Sequence, residues 1–146
     1  MDAEGRGTLG FMASPELPAE GARERLVRVR ETLLALHKAL LDSERTAYEI
    51  VHGPVASPAA FLQLLINDAR FAWLRPITTL VVHIDETLAA KKPPATARDF
   101  NRLVDDTRAL LSPSREVNGF WDRYRDAIER DPGVAVLHGA MEKELI

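Results

Sequence analysis

The stretch LVRVRETLLALHKALLDSERTAYEIV, residues 26–51, decides the fold. Apolar residues fall at Leu26, Val29, Leu33, Leu36, Leu40, Ala47 and Val51. Steps of three and four residues place them on one face of an α-helix. The pattern predicts a helix from about Ala19 to Val51, ended by Gly53-Pro54. A helix that long spans a whole bundle, so the rest of the chain is expected to pack around it.

Working outward, residues 1–14 are rich in small residues and read as a flexible tail, with Leu9, Phe11 and Met12 able to dock on a surface. Residues 15–146 read as a single helical-bundle domain. Ser57-Pro58 and Asp131-Pro132 each pair a cap with a proline at the first helical position. They predict helices over 59–67 and 132–143. Asp68 can cap another start, for a helix over 69–91 that Pro76 should kink or split near Arg75. Thr96 with Asp99 resembles a capping box at the head of a helix reaching Leu111. A further helix is expected over 116–130, with Val117, Phe120, Trp121, Tyr124 and Ile128 on one side. No segment alternates as a strand does. The expectation is an all-α, up-and-down bundle of five to six helices, with one long N-terminal helix and a Pro-kinked central helix.

Composition excludes several chemistries. The 146 residues contain no cysteine, so disulfides, thiolate metal sites and thiol nucleophiles are ruled out. The net charge of −3 argues against nucleic acid as a partner. No targeting segment is visible, and the most apolar run, Ile77 to Ala90, is broken by His83, Asp85 and Glu86. A cytoplasmic protein that engages no membrane is the expectation. Arg23, Arg25, Arg28 and Arg30 cluster near the start of the first helix, but Glu20, Glu24 and Glu31 dilute them into a solvated face.

Three segments carry a resemblance. His37-Lys38-Ala39-Leu40-Leu41-Asp42-Ser43-Glu44-Arg45, Phe71-Ala72-Trp73-Leu74-Arg75-Pro76 and Ile84-Asp85-Glu86 resemble an uncharacterised bacterial family of small all-helical proteins of unknown function. The resemblance covers roughly residues 30–140. It implies a bacterial origin and no mechanism.

A helical wheel places Glu44 at the centre of the first helix's apolar stripe, with His37 and Tyr48 on its edge. A buried carboxylate is costly unless paired or hydrogen-bonded. Glu44 therefore needs a partner, a cavity or a raised pKa, and Arg70 and Arg75 are candidate partners. His83 flanks the stripe of the Pro-kinked helix, and His138 falls within that of the last helix. Glu44, His37, Tyr48, His83 and His138 thus form a candidate polar core cluster. Its bland reading is a satisfied buried network, and its sharp reading is a metal or small-molecule site. Glu49-Ile50-Val51-His52 has the Glu-x-x-His spacing of bundle metal sites, but it lies opposite the stripe and has no second copy. No catalytic residue, metal site or cofactor is assigned.

Phe71, Leu74 and Val82 give the kinked helix a second apolar side. Such a helix is either central or buried at a partner surface. Three function classes follow. The first is a non-catalytic interaction module forming a homodimer. The second is a small-molecule or metal binder using Glu44 with His37, His83 or His138. The third is an enzyme for which only Glu44 is nominated as acid or base.

Overall fold

A computed structural model describes residues 19–113 and 119–146, together with the backbone of residues 2–3 and 5–10. The side chains of Leu9, Phe11 and Met12, and the expected tail's manner of docking, lie outside the described residues. Asp2–Ala3 and Gly5–Gly10 are extended. A parallel ladder needs a crossover of a dozen or more residues, and one residue separates these two, so they make no sheet of the fold.

The described chain is all-α. The helices are α1 (Ala19–His52), α2 (Pro58–Asn67), α3 (Ala69–Ala72), α4 (Arg75–Ala89), α5 (Ala97–Leu110), α6 (Phe120–Arg130) and α7 (Pro132–Glu144). Seven helices replace the expected five to six because the Pro-kinked helix divides. Pro76 sits in the first turn of α4, where its missing N–H has no intrahelical partner to lose. Trp73 and Leu74 form the joint, and the one-turn α3 precedes it. The start expected near Glu116 falls among residues 114–118, outside the described residues; α6 opens at Phe120, after Gly119 at φ 77°.

Local chemistry explains the other ends. Ser57 Oγ accepts from Ala60 N at 3.1 Å, and Asp68 Oδ1 accepts from Arg70 N at 2.8 Å. Thr96 and Asp99 form a reciprocal capping box. Asp131 Oδ1 accepts from Gly133 N at 2.9 Å. Each satisfies an N–H that the first helical turn leaves without a backbone partner. Gly53 ends α1 at φ 82°, a conformation that side chains with a Cβ rarely adopt.

At about 1.5 Å per residue, the 34 residues of α1 run about 51 Å. α7, α5 and α4 pack along it. Ala22, Leu26, Val29, Leu33, Leu36 and Leu40 are all fully buried. Burying each of Leu26, Val29, Leu33, Leu36 and Leu40 stabilises the fold by roughly 1.5–3 kcal/mol. Facing them are Ile77 and Ile84 of α4, Phe100 and Val104 of α5, and Val134 and Met141 of α7. α6 adds Phe120, Tyr124 and Ala127, at helical spacing.

The arginines at the head of α1 do more than face solvent. Arg23 donates to Leu88 O at 3.0 Å. Arg25 donates to Ile146 O at 2.6 Å and Glu144 O at 3.4 Å. Arg28 pairs with Glu144 at 3.5 Å, and Arg30 pairs with Asp85. Carbonyls at a helix C-terminus lack backbone donors and carry partial negative charge, so cations belong there. Arg23 and Arg28 stay exposed with Glu20, Glu24 and Glu31, as a solvated face implies, and Arg23 and Arg25 in addition fasten the last turns of α4 and α7 to α1.

Candidate functional site

Polar burial concentrates where the apolar stripe of α1 stops. Ser43 and Glu44 follow Leu40 and are 8% and 5% exposed. Glu44 Oε2 accepts a hydrogen bond from Trp73 Nε1 at 2.9 Å and lies 3.6 Å from Arg130 Nη2. Arg130 also donates to Ser43 Oγ, from Nε at 3.2 Å and from Nη2 at 3.1 Å. The buried carboxylate is therefore partnered, as its cost in an apolar setting requires. The indole N–H needs an acceptor when buried and finds it here.

Neither arginine expected beside Glu44 bonds it. Arg75 donates to Ile66 O at 2.7 Å, across the α2–α3 turn. Arg70 shares a cleft with Glu44 without a hydrogen bond to it. Arg130 takes the role instead, from the last turn of α6.

The rest of the candidate cluster is dispersed. His37 Nε2 lies 3.3 Å from Thr78 Oγ1. It is half-buried, and desolvation pushes its pKa below the usual histidine value. Tyr48 stacks on His52 at 4.3 Å and meets Phe71 at 6.3 Å. His83 is exposed and borders the groove between α4 and α5. His138 Nδ1 lies 2.7 Å from the Tyr124 hydroxyl, and its Nε2 lies 3.6 Å from Glu142 Oε2. Burial, and then the Glu142 charge, push the Tyr124 pKa well up, so the phenol stays protonated and donates to Nδ1. A phenol held in that form is a hydrogen-bond donor rather than a nucleophile. No group of three or more His, Asp or Glu side chains able to hold a metal ion occurs among the described residues.

The second apolar side of the kinked helix is divided by the joint. Phe71 and Leu74 are each 2% exposed, whereas Val82 on α4 is 48% exposed. Splitting the helix turns its first part inward and leaves Val82 outside.

A cleft of about 510 Å³ opens beside Glu44, lined also by His52, Asp68, Arg70, Arg123, Asp126 and Arg130. Its elements are the end of α1, the α2–α3 turn and α6. Asp68 is engaged in capping α3, and Asp126 lies 3.9 Å from Arg125. The Arg70 and Arg123 guanidiniums make no hydrogen bond or ion pair among the described residues. Glu44 was legible in the sequence and the cleft around it was not. Trp73, an indole near an apolar face with no acceptor of its own, was the one usable signal.

Among the described residues, no helix is long and apolar enough to cross a membrane. No family model matches the chain, and neither a curated protein nor a solved structure shows a significant match to it.

Proposed function

We propose that this protein is a non-catalytic, cytoplasmic interaction module that self-associates through α2. One observation carries the reading: α2 is strongly apolar yet buries no residue. Phe61 turns toward the bundle, 5.7 Å from Phe71 and under the Arg45 guanidinium at 4.7 Å. Leu62 and Ile66, on the other side, are 54% and 52% exposed. Apolar faces of this kind mark interaction sites more often than isolated exposed residues do.

A second copy of the chain suits this face. The segment Pro58–Asn67 carries no charged side chain, so two copies meet without like-charge repulsion. A two-fold axis would place the same residues on both sides of the contact. Ten residues make about 15 Å of helix, less than the roughly 800 Å² per partner of a standard interface requires. The dimer is therefore weak and concentration-dependent.

Sedimentation equilibrium over a hundredfold concentration range tests this. The wild type should shift from monomer toward dimer, and Leu62→Lys should remain monomeric with unchanged helicity. A monomer throughout, or a dimer that tolerates both Leu62→Lys and Ile66→Lys, would overturn it.

A further inference from the structure

We propose that the cleft beside Glu44 binds the phosphate group of a small, hydroxylated molecule. This reading is independent of self-association, since the cleft lies within one chain.

The argument rests on which charges are already engaged. Glu44 is held by Trp73 and Arg130, Asp68 by the head of α3, and Asp126 faces Arg125. Arg130 is in turn fixed by Ser43 Oγ and the Glu44 carboxylate. Arg70 and Arg123 reach the same space uncommitted. The arginines at the other end of α1 behave differently: Arg23 and Arg25 use their donors on backbone carbonyls, and Arg28 and Arg30 on carboxylates. The cleft's three guanidiniums and three carboxylates balance in charge, but the donors of Arg70 and Arg123 are unused among the described residues while the cleft's carboxylates each have a partner, and Arg130 is already positioned.

Guanidinium forks match the oxygens of phosphate in pairs. Two free forks, with the Nη1 that Arg130 leaves unused among the described residues, suit a tetrahedral group with three terminal oxygens better than a carboxylate with two. His52 adds a further polar atom. Its Nδ1 lies 3.2 Å from Tyr48 O, so Nδ1 carries the proton and Nε2 is left as an acceptor for a ligand hydroxyl rather than a donor to phosphate. The three carboxylates restrict the rest of the ligand. They repel additional negative charge, which disfavours polyphosphates, and they accept hydrogen bonds from hydroxyls. The volume exceeds that of a lone phosphate ion, and the mainly polar lining offers no seat for an apolar body.

Isothermal titration with inorganic phosphate and with glycerol 3-phosphate tests the site in the full chain. Saturable binding is expected, weakening as salt rises because the site is open to solvent. Tighter binding of the monoester supports the hydroxylated ligand. Equal or tighter binding of inorganic phosphate overturns that part and leaves the free ion as the occupant. Arg70→Ala and Arg123→Ala should each weaken binding about tenfold, the loss of one charge-assisted contact. Neither side chain bonds the fold, so helicity by circular dichroism should not change. Arg123→Lys should retain part of the affinity. Asp126→Asn removes a negative charge from the cleft without touching the contacts among Glu44, Arg130 and Ser43, and should tighten binding. Arg98→Ala, outside the cleft, should leave affinity unchanged. Absence of saturable binding, or an equal loss in Arg98→Ala, would overturn the site, because either shows only diffuse charge attraction.

Discussion

The two halves of α1 behave as different proteins would. From Ala22 to Leu40 the helix buries six apolar residues completely, and α4, α5 and α7 surround it. From Ser43 onward the same helix buries only Ser43 and Glu44, and it finishes with Ile50 and Val51 at 81% and 69% exposed. The helical periodicity continues through both halves. The neighbours do not: the second half is met by the short α3, by Phe61 of α2 beneath Arg45, and by Arg130 at the end of α6. A helix stays amphipathic by its sequence, but a stripe becomes core only where other elements cover it. Chemistry and exposed apolar surface both collect where that cover runs out.

The largest expected contrast is in stability. Leu33→Ala, in the covered half, should cost about 2–5 kcal/mol in urea unfolding. Ile50→Ala, in the open half, should cost less than about 0.5 kcal/mol. Similar values for both would break the division.

Between the halves lies the Glu44 contact. Trp73→Phe removes the indole donor and leaves the buried carboxylate with Arg130 alone. A loss of about 1–3 kcal/mol is expected. A neutral result would mean that Arg130 and water suffice, and that the contact does not anchor the α3–α4 joint to α1.

A smaller effect tests α7, which covers α1. Asp131→Ala removes the side chain that accepts from Gly133 N and Val134 N. Loss of the cap should lower stability by about 1 kcal/mol. Asp131→Asn should restore most of it, since the amide oxygen can accept the same bonds.

The smallest effect is a pH dependence within the covered half. His37 titrates below the usual histidine value in the folded state because burial disfavours its charged form. The unfolded chain therefore binds more protons between the folded pKa and the ordinary value. Its contribution is complete above about pH 6.5 and falls as pH drops toward the folded pKa. Denaturation midpoints compared with His37→Gln should show the wild type losing more stability between neutral and mildly acidic pH. Parallel curves would remove His37 as the cause.

The sequence by itself determined the helices, because their signals are local. Ser57-Pro58, Asp68, Thr96 with Asp99, and Asp131-Pro132 each mark an end through atoms a few residues apart. Pro76 marked the joint in the central helix, and Glu44's place in the stripe followed from angular spacing alone. The shape of the site did not follow. Trp73 is 29 residues from Glu44, and Arg130 is 87 from Ser43. Which side chains meet across such separations depends on how helices cross and where one outruns another. The same cause acts at the head of α1, where charge alternation marked a solvated face but not its contacts. Only packing brought the last turns of α4 and α7 within reach of Arg23 and Arg25. Helix propensity and capping act within a turn or two. Partner choice for a buried charge is an energy of the whole packed chain.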